Sequence, residues 1–179
     1  MNGANPQERL SQDVREKWFL AGFVEGEGSY SASIKYQESS RFGLFVDPEF
    51  FLYQHEHGKA VLEMAQRVFG TGAIHRKPGN EKVLVFVINA RRSLTERVIP
   101  FLFEFVFPFS AKKDQIVAFA EIVERLERKE HFTAEGLSLL VEKAYAMNPG
   151  SKGKARKRSL QELRERILRG HTPDTALSQ

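Results

Sequence analysis

From Asp13 onward the apolar residues Val14, Trp18, Phe19, Ala21, Gly22 and Val24 recur at helical spacing, and the run stops at the glycine-studded stretch Gly26 to Gly28. There the period changes from helical to two. Tyr30, Ala32, Ile34 and Tyr36 alternate with Ser31, Ser33, Lys35 and Gln37, which predicts a strand with one face in a core and the other polar. A second strand region is expected over about 42–54, with an interruption at Asp47-Pro48. Residues 59–69 return to helical spacing through Val61, Leu62, Ala65, Val68 and Phe69 before Gly70. Two β-rich segments, 72–77 and 82–90, then flank a Pro-Gly-Asn turn and read as a second hairpin.

Further helices are expected from Ser93 through about residue 99, over 114–127, from Thr133 toward residue 147, and from Ser159, where Glu162 three positions on completes a capping-box pattern. The order is αββαββ followed by helices, so strands and helices segregate into an α+β fold with an antiparallel sheet. Phe101, Phe103, Phe105, Phe107 and Phe109 alternate along the chain between Pro100 and Pro108. They are expected to pack in a core, since a base-stacking platform would set exposed rings beside basic residues and this segment offers only Glu104.

At 179 residues the chain is long enough to bury a core of its own. Its most apolar stretch, 98–109, is broken by Pro100, Glu104 and Pro108, far short of the roughly 20 apolar residues of a membrane span. The first twelve residues are polar and resemble no export or transit peptide, which points to an intracellular product. Zero cysteines exclude disulfide frameworks, thiol catalysis and cysteine-ligated zinc, so any metal must be held by oxygen or imidazole. Charge is informative by position. The net charge is +4, yet residues 151–170 alone carry a surplus of six, from Lys152, Lys154, Arg156, Lys157, Arg158, Arg164, Arg166 and Arg169 against Glu162 and Glu165. A nearly neutral body, 1–149, with a basic helix and tail, 150–179, fits a protein that meets a polyanion along a defined surface.

Residues 20–28 read Leu-Ala-Gly-Phe-Val-Glu-Gly-Glu-Gly. Ala21, Gly22 and Gly26 leave one helix face almost bare for close approach of another helix, while Glu25 and Glu27 set carboxylates at the helix end. Carboxylate oxygens there suit Mg²⁺, a hard cation that keeps most of its waters and is bridged by phosphates. This nonamer, its place before the first strand and the αββαββ order together resemble the LAGLIDADG homing endonucleases. The resemblance implies an αββαββα core with a saddle-shaped antiparallel sheet and C-terminal helices. It also implies a site-specific double-strand DNA endonuclease, encoded in an intron, in bacterial cytoplasm or an organelle matrix or stroma. The motif occurs once, which by the same resemblance implies a homodimer paired through Leu20, Ala21, Gly22, Val24 and Gly26.

Residue roles follow from the resemblance position by position. Glu27 stands at the metal-binding acid, with the Gly26 carbonyl as a second ligand, and Glu25 as a helix-end structural acid. Gln54 matches the polar residue that orients water, and Lys112 the base near the scissile phosphate, with Lys113 in competition; where some members carry a base after the second strand this chain has Gly58 and Lys59. Mg²⁺ is the implied cofactor, with Mn²⁺ able to substitute and Ca²⁺ supporting binding without cleavage. The target is a long, nearly palindromic site cut to short 3′ overhangs. A two-stranded ribbon fits the major groove, so Ser31, Ser33, Lys35 and Gln37, with Arg41, His75 and Lys77 near the strand ends, are candidate readers. Lys152, Lys154 and Arg156 are candidate phosphate contacts. His55 and His57 lack a visible third ligand and are expected to face solvent or phosphate. Two other readings compete: a cleavage-inactive intron maturase, with RNA as partner, or DNA-binding regulator of the same fold, and an unrelated nuclease using Asp47, Glu49 and Lys59.

Overall fold

A computed structural model describes residues 11–147 and 158–170. The Ser11 hydroxyl accepts the Val14 N–H and starts α1 (Gln12–Glu27), which passes without a linker into β1 (Gly28–Tyr36). The chain then forms β2 (Leu44–His55), α2 (Lys59–Phe69), β3 (Ala73–Lys77) and β4 (Asn80–Ile88). A continuous helical run, α3, covers residues 91–109 and is followed by α4 (Lys113–Glu127), α5 (Ala134–Met147) and α6 (Leu160–Arg169). Helix α2 ends at Gly70 in the left-handed conformation (φ 63°), and the β3–β4 turn uses Gly79 at φ 78°, both where the sequence places them.

The strands form one antiparallel sheet in the order β1-β2-β4-β3, with Gly28 opposite Leu52, Phe50 opposite Ile88 and Val85 opposite His75. Contrary to the expected break, β2 runs straight through Pro48, which pairs with Ala32. Its pairing with β4 begins only at Phe50, so the residue without an N–H lies where β2 has a single neighbour. The second departure is α3, expected to stop near residue 99. Pro100 does not end it, because π turns at Leu94–Val98 and Leu102–Val106 widen the helix on either side. The phenylalanines therefore sort by helical period: Phe101 and Phe105, four apart, are 6% and 9% exposed, whereas Phe103 and Phe109 point outward.

One sheet face, carrying Tyr30, Phe50, Leu52, Leu84, Phe86 and Ile88, is covered by α1, α2, α3 and by Ile116, Phe119 and Val123 of α4. A second cluster lies at the other end of the β1–β2 hairpin. There Ala32, Leu44 and Val46 meet Ile122 and Leu126 of α4, Leu140 and Val141 of α5, and Leu163 and Ile167 of α6. The capping box that starts α6 is complete: Ser159 and Glu162 exchange side-chain to backbone hydrogen bonds at 3.1 and 2.6 Å.

Between α4 and α5, the Glu121 carboxylate accepts from Lys143 Nζ at 2.9 Å and from Arg125 at 3.2 Å. The Lys143 hydrogen bond, chief among the causes, holds the Glu121 carboxyl below its ordinary value. A depressed carboxyl stabilises the fold above its unfolded-state value, and that contribution is lost as pH falls through the folded-state value. Urea midpoints of wild type and Glu121→Gln should accordingly differ at neutral pH and converge through the acidic carboxylate range; parallel curves at all pH values would contradict the link.

Candidate active site

Helix α1 presents two different faces. Leu20 and Val24 are 0% exposed and Ala21 5%, all inside the protomer's own core. Leu20, Ala21 and Val24, expected at a dimer contact, are thus core residues, because their i, i+1, i+4 spacing places them on the sheet side. The outward stripe is Trp18, Phe19, Gly22 and Gly26. A Cβ added at Gly22 or Gly26 would meet nothing within 4 Å. Trp18, 42% exposed, makes edge contacts with Phe105 and Phe109 at 5.2 and 5.9 Å. Gly28 is needed for a steric reason: a Cβ there would run into the Val24 carbonyl, which accepts the Gly28 N–H as helix turns to strand.

The two acids at the helix end differ sharply. Glu25 is fully engaged, accepting the Ser110 hydroxyl at 2.6 Å and the Ala111 N–H at 3.0 Å, and so ties α1 to the segment that leads into α4. Burial, and next the Glu25 charge, push the neighbouring Tyr30 phenol above its ordinary value, keeping it neutral. Glu27 is exposed and, among the described residues, has no hydrogen-bond or ion-pair partner.

Lys112 reaches the same helix end. Its Nζ donates to the Glu25 carbonyl at 2.6 Å and to the Gly28 carbonyl at 3.3 Å, bracketing residue 27 and placing a cation at the negative end of the helix dipole. Lys113 Nζ instead lies 5.3 Å from the centre of the Phe107 ring. The geometry therefore separates the two lysines, which spacing alone left in competition. Gln54 follows Phe50 and Leu52 on the helix side of β2, and its Oε1 accepts the His55 N–H at 2.8 Å. Gly58 makes room for it, since a Cβ there would come within 2.6 Å of the Gln54 side chain.

No group of three or more His, Asp or Glu side chains gathers anywhere among the described residues. The donor set at the end of α1 fits a hard divalent cation held in part from outside the protomer. It comprises one free carboxylate, Glu27, and the Gly26 carbonyl, one of the last four that helical geometry leaves without an intrahelical donor. His55 and His57 are exposed, with rings 4.6 Å apart, and no third ligand joins them.

The sheet face opposite the helices carries Ser31, Ser33, Lys35, His75 and Lys77, as expected, and none is fully buried. Lys35, however, is held by Asp47 and lies 3.7 Å from Glu49, which raises its ammonium above the ordinary value, the Asp47 hydrogen bond foremost. Gln37 is turned into the hairpin loop, donating to Ser39, and Arg41 donates to the Phe132 carbonyl at 3.0 Å, on the helix layer. Lys152, Lys154 and Arg156 lie outside the described residues. The same face holds residues the sequence reading passed over: Phe51 and Tyr53 of β2 and Val83, Val85 and Val87 of β4, with Lys77 Nζ 5.2 Å from the Tyr53 ring centre. Their odd positions would have marked them once the register was known. The alternative acid set dissolves, for Asp47 and Glu49 engage Lys35 while Lys59 pairs with Glu63 at 2.8 Å.

An αββαββα core that presents a bare helix face, and a free acid where that helix meets the first strand, defines a LAGLIDADG-type nuclease scaffold. Residues 20–123 match the LAGLIDADG endonuclease family, and the chain belongs to that family. It is 44% identical over 123 residues to DNA endonuclease I-CeuI of Chlamydomonas moewusii, covering 68% of this chain and 56% of that protein. It is 35% identical over 147 residues to homing endonuclease I-ApeII of Aeropyrum pernix, covering 81% and 86%. The chain thus spans little more than half the length of the algal relative. Among solved structures it resembles the group I intron-encoded homing endonuclease I-CeuI complexed with DNA, with a TM-score of 0.81 at 35% identity over 86% of this chain and 76% of that one. It likewise resembles the archaeal intron-encoded homing endonuclease I-Vdi141I complexed with DNA, with a TM-score of 0.78 at 34% identity over 88% and 96%. Endonucleases of this family depend on a divalent metal.

Ser110, 8% exposed, both donates to Glu25 and accepts the Lys112 N–H at 2.8 Å. Ser110→Ala should lower stability by about 1–3 kcal/mol in urea unfolding by stranding a carboxylate oxygen and an amide; an unchanged midpoint would show that the anchor does not hold the helix end.

Proposed function

We propose that the protein is a site-specific homing endonuclease, intron-encoded, that cuts both strands of a long pseudo-palindromic DNA site as a homodimer with Mg²⁺. The observation that carries the reading is the unpartnered Glu27 carboxylate at the end of a helix whose outward stripe narrows to Gly22 and Gly26. Two exposed glycines within a helix cost about 1 kcal/mol each relative to alanine. Nothing inside the protomer requires them, and close approach of a second α1 does. An isologous pairing through Gly22 and Gly26 brings the two Glu27 side chains together on one axis.

A divalent cation there would neutralise phosphate charge and lower the pKa of attacking water, with Mn²⁺ as a substitute and Ca²⁺ as a ligand that permits binding only. Glu27 and the Gly26 carbonyl would hold it. Lys112, fixed by the carbonyls of residues 25 and 28, sets positive charge beside the scissile phosphate before the reaction begins, so little reorganisation is needed in the transition state. Gln54, freed from its contact with the His55 N–H, orients water from the helix side. The open sheet face, with Ser31, Ser33, His75 and Lys77 around an apolar middle, lies in the major groove.

With a plasmid carrying the joined exons that flank the reading frame, wild type should give linear product only with divalent metal. Glu27→Gln should bind that DNA with similar affinity and not cut it. If wild type also binds without cutting, the protein is a binding module of this fold. A second substitution isolates the pairing: Gly22→Arg has open space in the protomer and should fold as well as wild type. By light scattering it should be monomeric, with cleavage lost; a dimeric Gly22→Arg would place the contact elsewhere.

A further inference from the structure

We propose that Arg158 and Arg166, gathered around the Tyr36 ring at the far end of β1, form a clamp for a DNA backbone phosphate at the outer part of each half-site. The inference rests on the nuclease reading and adds a contact that the open sheet face does not supply. Arg158 lies 3.7 Å and Arg166 4.9 Å from the ring centre, and Tyr36 remains 36% exposed. Among the described residues neither arginine has a carboxylate partner, and the Arg166 Nε is buried without a hydrogen bond. Two like charges held on one ring, with a buried donor unmet, are an arrangement that an anion relieves.

The place is built. Arg166 lies across Gly43 (φ 66°), where a Cβ would come within 2.7 Å of its guanidinium, and a cavity of about 560 Å³ opens beside the two arginines. The carboxylates lining that cavity are occupied. Glu162 accepts the Ser159 N–H, and Glu165 accepts from Gln161 and from Arg169, at 3.1 and 3.3 Å. Arg169 on the rim is paired with Glu165, and the cavity's three arginines face two carboxylates, leaving a positive balance. A planar guanidinium on an aromatic face keeps its N–H edge free for two phosphate oxygens, which a hydrated ammonium does less well. The position also suits a polymer rather than a free ion. Tyr36 ends the nine-residue strand that Gly28 begins, roughly 27 Å away at the usual strand rise and so about eight nucleotides along a strand.

Phosphate contacts do not depend on sequence, so the full-length protein can be titrated with a labelled duplex of arbitrary sequence, in Ca²⁺, over a series of KCl concentrations. Each lost phosphate contact lowers the slope of log K against log salt by about 0.9. Arg158→Gln/Arg166→Gln removes the one clamped phosphate and should lose about 0.9 of slope, and Arg166→Lys should keep most of it. Arg92→Gln, which removes an exposed arginine paired with Glu96, should match wild type. Arg158→Gln alone, at an exposed site outside both cores, still tests the clamp if the double substitution fails to fold. A wild type that binds the duplex with a slope unchanged in the substituted proteins overturns the clamp alone. A wild type that ignores duplex DNA overturns the nuclease reading with it, and a slope change seen with a structured RNA but not with the duplex overturns the assignment to DNA.

Discussion

Helix α1 has to satisfy two surfaces at once, and the rest of the molecule is arranged around that demand. Its inner side buries Leu20 and Val24 completely, which stabilises the protomer by about 1.5–3 kcal/mol per side chain. Its outer side gives up helix propensity at Gly22 and Gly26. The helix end is then pinned from outside itself, by Ser110 and Ala111 on Glu25 and by Lys112 on the Glu25 and Gly28 carbonyls. This pinning fixes where residue 27 emerges, since Gly28 begins the strand with no intervening loop.

The two glutamates show how one short sequence separates structure from chemistry. Glu25 has its oxygens filled by donors of the same protomer; Glu27, two residues later and on a different side of the helix, has none among the described residues. A satisfied carboxylate is a poor metal ligand, because each donor must first be displaced, whereas an exposed one has its oxygens open to a cation. Charge on the sheet is handled in the opposite way. Lys35 is neutralised by Asp47 and Glu49, and the middle of that face is Phe51, Tyr53 and three valines, so under the proposed function discrimination there would rest on apolar contact with thymine methyl groups and on DNA shape more than on charge. Positive charge is concentrated instead toward α6.

Much of this was legible in the chain. Periodicity located α1, β1, α2 and the second hairpin, glycine marked their ends, and Ser159 with Glu162 announced the last helix. The motif from Leu20 to Gly28, by its resemblance as a whole nonamer, pointed to the family to which the chain belongs. Three features were not legible. The π turns around Pro100 depend on how the phenylalanine faces pack, which local sequence does not encode. The passage of β2 through Pro48 depends on β4 ending its pairing at Phe50, a tertiary fact. The inward direction of Leu20 and Val24 could have been taken from helical phase against the sheet, but a stripe of small residues draws its neighbours into the same reading.

The absence of a complete metal cage among the described residues also bears on selectivity. A single free carboxylate binds a divalent cation weakly, because Mg²⁺ gives up its waters reluctantly and needs several hard oxygens to do so. In the proposed homodimer further oxygens would come from the second copy of α1, already in place, and from phosphates, which arrive only when the duplex is seated. Under the proposed function metal binding would thereby be coupled to correct docking of the DNA, and docking in turn would depend on the distance between the helix end and the far tip of the β1–β2 hairpin. That distance is held by the two hydrophobic clusters, one under Phe50 and Leu52 near the acids, the other under Leu44 and Val46 near α6. Rigidity across the sheet, rather than any extra ligand, is what would confine hydrolysis to a duplex that fits both ends.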